Sequence, residues 1–216
     1  MRIVFNHLVL RSYMGFKFYA AWLAGICVII FITQIVFSGF TELFLLNELS
    51  FSQPWRFLTA IFLHGDFGHL FYNMFALVLF GSMLERLIGG KRFLLVFFAA
   101  GIIANFLSVF FYPSSLGASG AIFGIIGSLI VVRPTLVVFA FGLPMPMFLA
   151  GILWAVGDVI GLFVPSNVGN IAHLSGLAIG LLFGAFYRDW KQLKIPRERT
   201  SLDEGFMRDW EDAHMR

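Results

Sequence analysis

Ser119, His173, His69 and Asn73 are the side chains in this 216-residue chain whose types and spacing could carry out covalent chemistry. A serine hydroxyl becomes a nucleophile when a nearby imidazole takes its proton. An imidazole and a carboxamide four residues apart on a helix project from one face, one turn apart, and can donate hydrogen bonds to an oxyanion. Ser119 also opens an apolar run, so it stands at a helix N-terminus. The first N–H groups there lack intrahelical partners and favour negative charge. The chemistry these residues suggest is acyl transfer, with Ser119 as nucleophile, His173 as its base, and His69 and Asn73 as oxyanion donors. No acidic third member is evident. Asp158 is expected in the middle of the fifth apolar segment, too deep to orient His173, so a Ser–His dyad is expected.

The setting of these residues is a membrane. The chain is 59% apolar and 12% charged, against roughly 25% charged in soluble domains. Six apolar runs are long enough, or nearly so, to cross hydrocarbon as helices. They are about Phe18 to Phe40, Phe67 to Ile88, Phe93 to Tyr112, Ala118 to Val132, Met145 to Val164 and Asn170 to Tyr187. Turn residues separate them: Gly89-Gly90, Pro113-Ser114-Ser115, Arg133-Pro134 and Pro165-Ser166-Asn167. Leu136 to Pro144 is apolar too, but Gly142, Pro144 and Pro146 suggest a loop or a distorted helix entry. The first run is too long for a signal-peptide core and lacks a small-residue cleavage pattern, so it reads as a retained span.

With six crossings and an inside N-terminus, only Arg56 of the 15 Lys and Arg residues falls on the outer side. That agrees with the positive-inside rule and puts both termini in the cytoplasm. The division expected is 1–17 as a cytoplasmic N-terminus, 18–187 as a six-helix membrane domain, and 188–216 as a charged tail beside anionic lipid. The long first loop, Thr41 to Asp66, mixes aromatic and charged residues and suits the interface, with Trp55 as an anchor. Cys27 is the single cysteine, which excludes an intramolecular disulfide and a cysteine metal cluster.

In hydrocarbon each strongly polar group is a functional candidate. Glu85 and Arg86 lie near the inner edge and read as interfacial pairing. Asn105 and Asp158 read as hydrogen bonds to neighbouring helices. His69, Ser119 and His173 stand near the outer ends of the second, fourth and sixth helices, hence at similar depth. Gly117, Gly120, Gly124 and Gly127 face Ala172, Gly176, Gly180 and Gly184, which repeat every four residues. Two such small-residue stripes can pack with backbones nearly touching, bringing the Ser119 hydroxyl toward the His173 imidazole.

These residues resemble the rhomboid family. Gly117-Ala118-Ser119-Gly120 is similar to its Gly-x-Ser-Gly motif, and Ala172-His173 with Gly176 and Gly180 to its sixth-helix base motif. His69 to Asn73 matches its His-x-x-x-Asn pair, with His64 at an additional upstream histidine. Trp55-Arg56 matches a pair in its first long loop, and Gly81 to Glu85 its Gly-x-x-x-Glu. The resemblance implies a six-helix bundle that cleaves other proteins' transmembrane helices near their outer ends, without cofactor or metal. Ser119 and His173 would be catalytic, and His69, Asn73 and the Ser119 backbone N–H would hold the oxyanion. Substrate would enter beside the fifth helix. Transmembrane proteins and lipid are the expected partners, with no nucleic acid, and the cell membrane is the expected location.

Two rivals remain. One is a non-catalytic relative that binds membrane clients without cutting them, although such relatives usually lack the serine or the histidine. The other is a transporter or metal channel built on His64, His69 and His173, which the lack of carboxylates at that depth and of an inverted repeat disfavours.

Overall fold

The computed structural model describes residues 17–164 and 168–188. The expectations for the N-terminal stretch to residue 16, the turn at 165–167 and the tail from residue 189 lie outside these residues. Six helices of 14 residues or more follow one another: α1 Tyr19–Val36, α2 Phe67–Ile88, α3 Gly90–Ser108, α4 Ser119–Val132, α5 Met147–Gly161 and α6 Asn170–Arg188. Of these, α1, α2, α3 and α6 are long and apolar enough to cross a membrane. The other two are apolar but shorter, with 14 and 15 residues. At 1.5 Å per residue they reach about 21 and 22 Å, less than the roughly 30 Å of a hydrocarbon core.

The side-chain distribution is that of a protein in lipid. Large apolar residues face outward on every helix but α4, among them Trp22, Phe75, Leu95, Ile152 and Phe186, all exposed. By contrast, α4 is the central post: nine of its fourteen residues are buried. It can be central because the face it turns to α6 carries glycines. A Cβ on Gly176 would collide with the Gly120 carbonyl, one on Gly180 with the Gly124 carbonyl, and one on Gly127 with the Leu177 carbonyl. The two backbones are therefore in direct contact, as the small-residue stripes predict. The Ser128 hydroxyl adds a hydrogen bond to the Gly180 carbonyl at 2.9 Å.

Near the C-terminal end of α2, Glu85 is 2% exposed and does not simply pair with its neighbour Arg86. Its carboxylate accepts the backbone N–H groups of Lys17 and Ala20, each at 3.2 Å. It thus supplies, from α2, the acceptor and negative charge that the start of α1 needs.

Two short sheets were not foreseen. In the first loop, β1 (Leu46–Asn47) pairs antiparallel with β2 (Ser114–Ser115), just before α4. Leu136 to Pro144, expected to be a loop or a distorted helix entry, instead forms a hairpin with α5 as its continuation: β3 Val137–Ala140 pairs with β4 Leu143–Pro146. The two turn residues, Phe141 and Gly142, both have positive φ, 55° and 78°. That is the geometry whose twist matches paired strands. The prolines fall at positions 144 and 146 of the second strand, an edge strand, where a missing N–H is tolerated. Helix α5 accordingly begins at Met147 and not at Met145.

Arg56 organises the first loop. It is 3% exposed, and its guanidinium donates to the carbonyls of Glu42 and Leu45, each at 2.8 Å, and to the Gln53 side chain at 2.7 Å. Trp55 beside it is half exposed, as an interfacial anchor would be.

Candidate active site

Ser119 is the first residue of α4 and stands half-buried in the wall of a cavity of about 840 Å³. His69, Asn73 and His173 line the same cavity, so the four residues singled out by type and spacing converge from three helices. Asp66, Asn105, Tyr112, Ser114 and Ser115 also line it, a polar wall that can hold water.

The segment before Ser119 is fixed from the first loop. Strand β1 holds Ser114–Ser115, and the Gly117 N–H donates to the Ala60 carbonyl at 2.8 Å. Gly117 has φ +125°, a conformation open to glycine. A Cβ there would lie 2.8 Å from Cε1 and Nε2 of His69. The glycine therefore lets the imidazole come directly against the backbone that presents Ser119.

His69 is oriented by two contacts. Its backbone N–H donates to the Asp66 side chain, which caps α2 at 2.8 Å, and its Nδ1 accepts the Gly65 N–H at a long 3.4 Å. With Nδ1 as acceptor, the neutral ring carries its proton on Nε2, the edge next to Gly117. Asn73 uses one amide N–H on the His69 carbonyl at 2.8 Å, which leaves its second N–H to give. The expected donors thus line the same cavity as Ser119. Asn105 donates to the Phe57 carbonyl at 2.9 Å, a link to the first loop, while also lining the cavity.

His173 lies one turn into α6, whose start is held by the Ile171 N–H donating to the Tyr112 hydroxyl at 3.1 Å. Its ring is stacked on Phe123, with centroids 4.3 Å apart and planes 5° apart. Phe123 is one turn below Ser119 on α4 and was not singled out from the sequence. Its signal was there in the i, i+4 spacing from the serine. No hydrogen bond joins Ser119 to His173 among the described residues. Such bonds commonly tighten only when substrate is bound.

The largest departure from expectation concerns Asp158. It is not too deep to meet the base: its Oδ1 lies 2.8 Å from His173 Nδ1. Helix α5 ends at Gly161, so Asp158 sits near its C-terminal end, three residues before it. The interhelical hydrogen bond expected of Asp158 exists, and the partner is the candidate base.

Comparison with known proteins covers the same part of the chain. A family model described as the rhomboid domain matches residues 51–190. The chain is 42% identical over 137 residues to rhomboid protease GluP of Bacillus subtilis, covering 61% of this chain and 25% of that protein. It is 37% identical over 134 residues to the putative rhomboid protease YdcA of the same organism, covering 59% and 64%. These matches therefore span less than two thirds of either relative. It is 30% identical over 172 residues to rhomboid protease GlpG of Haemophilus influenzae, covering 75% of this chain and 86% of that protein. With the domain match over most of its length and apolar helices facing outward on every side, this chain is an integral membrane protein that belongs to the rhomboid family.

Proposed function

We propose that the protein is an intramembrane serine endopeptidase that hydrolyses peptide bonds in or near the transmembrane helices of other membrane proteins. The observation that carries this reading is the convergence of Ser119, His173, His69 and Asn73 on one polar-walled cavity. Relatives named as rhomboid proteases support it.

In the proposed reaction, Ser119 Oγ attacks the peptide carbonyl carbon while His173 Nε2 takes the hydroxyl proton. The tetrahedral oxyanion is held by His69 Nε2–H, the free Asn73 amide N–H and the Ser119 backbone N–H. Collapse breaks the C–N bond, and the imidazolium protonates the leaving amine. Water then attacks the acyl ester, again with His173 as base, and restores Ser119. A single good oxyanion donor contributes about 3 to 4 kcal/mol to such a transition state.

The same reading sets the protein in the cell membrane with six crossings and both termini in the cytoplasm. The first loop lies at the outer interface, and the membrane domain extends over residues 18–187. Under it α4 is short because its N-terminus starts inside the membrane, below a polar cavity open to water.

The test is labelling of purified protein in detergent with a fluorophosphonate. The expected result is modification of the wild type and none of Ser119→Ala or His173→Ala. Labelling of Ser119→Ala at the wild-type rate would overturn the assignment. No labelling of folded wild-type protein would favour a client-binding relative without catalysis.

A further inference from the structure

Asp158 is 6% exposed on a helix whose other buried residues are Met147, Ala150 and Gly151. It is the buried carboxylate of α5, with Oδ1 on His173 Nδ1 at 2.8 Å and Oδ2 buried without a hydrogen-bond partner. An ionisable group in this setting costs several kcal/mol, and a merely structural link between two apolar helices would be made more cheaply by a hydroxyl or an amide.

We infer that Asp158 is a positioning residue for His173, so that the centre is a serine–histidine–aspartate triad drawn from α4, α6 and α5. The inference rests on the proposed serine chemistry. An ionised carboxylate only accepts hydrogen bonds, so its contact assigns the imidazole proton to Nδ1. That leaves the Nε2 lone pair as the one able to take the Ser119 proton. When His173 becomes imidazolium in the transition state, the adjacent negative charge stabilises it without moving. The Phe123 face fixes the plane of the ring and Asp158 fixes its rotation within that plane.

A second consequence follows from where Asp158 stands. The outer end of α5 meets α6 through this contact and through Gly161, where a Cβ would lie 2.7 Å from the Asn170 side chain. The rotation of the base within its plane therefore depends on how this end of α5 packs on α6.

The experiment compares wild type, Asp158→Asn and Ser119→Ala by fluorophosphonate inactivation, resolved into a reversible binding constant and a maximal rate. Unfolding temperature and the ¹⁵N-histidine NMR spectrum are recorded in parallel, with His173→Ala to assign the His173 signals. Asp158→Asn keeps the size and a hydrogen-bonding oxygen, so it preserves a structural link and removes the charge. The expected result is a maximal rate lowered roughly ten- to a thousandfold, with binding constant and unfolding temperature unchanged. The Nδ1–H resonance of His173, far downfield in the wild type, should move upfield. An unchanged rate, or a rate that falls only together with stability while the Nδ1–H signal stays in place, would overturn the positioning role. If Ser119→Ala is labelled like the wild type, the serine reading fails and this inference with it. If only the Asp158 arm disagrees, the dyad stands alone.

Discussion

The imidazole of His173 lies flat on the ring of Phe123, 4.3 Å between centroids and 5° between planes. Phe123 and Ser119 share one face of α4, so the residue that supports the candidate base is carried by the same helix that carries the nucleophile. Replacing the flat ring by an aliphatic group of similar size frees the imidazole to tilt. Phe123→Leu should slow fluorophosphonate labelling roughly two- to tenfold, which corresponds to the ~0.5–1.5 kcal/mol of an aromatic stack. The unfolding temperature should change little. Labelling at the wild-type rate would show that the stack does not hold the base.

Asn73 is one of several donors around Ser119 and has one amide N–H engaged on the His69 carbonyl. Asn73→Ala should slow labelling and peptide hydrolysis by about ten- to a thousandfold without abolishing either, because the His69 and backbone donors remain. An unchanged rate would remove Asn73 from the oxyanion site.

The contact between α4 and α6 is backbone to backbone. Gly180→Leu has nowhere to place a side chain, since even a Cβ there overlaps the Gly124 carbonyl. The helices must separate, at a cost of about 1–3 kcal/mol or more for an overpacked site. Thermal unfolding in detergent should shift down, and labelling should be lost with it. A wild-type unfolding curve would contradict the packing.

His64 lies between α1 and α2, outside the spanning segments, and is 1% exposed. Its backbone is tied to Gln34 of α1 in both directions, at 3.1 Å each. Neither ring nitrogen completes a hydrogen bond of good geometry. Burial, with the nearby His69, lowers its pKa from about 6.5 to about 4, and the Phe62 carbonyl offsets only part of this. The unfolded chain therefore binds a proton that the folded one refuses between those values, so stability present above pH 6.5 is lost as the pH falls toward 4. The loss amounts to about 3 kcal/mol by the usual 1.36 kcal/mol per pKa unit. His64→Phe has no ring hydrogen bond to lose and should flatten this slope while staying folded at pH 7. Unfolding temperatures at pH 7 and 4.5 check it, and equal slopes in both proteins would rule out His64 as the source.

Much of this protein is legible in its sequence because hydrocarbon is a severe solvent. Apolar runs must be helices when no water is present to satisfy the backbone, so each run read from composition holds an apolar helix and α2 agrees to its end residues, although only four of these helices are long enough to cross. Polar residues in such runs are few and expensive, which is why Ser119, His173, His69 and Asn73 stood out and why they share a cavity. Glycine every fourth residue requires a close partner helix, and α4 and α6 meet as that spacing demands. Tertiary structure alone decided the relations that depend on depth and rotation between helices. Whether Asp158 reaches His173 turns on where α5 ends and how it is rotated against α6, which apolar content does not set. Glu85 finds the N-terminus of α1 and Arg56 the carbonyls of the first loop because a buried charge takes whichever partners the fold brings within 3 Å or so, and sequence spacing carries no record of them.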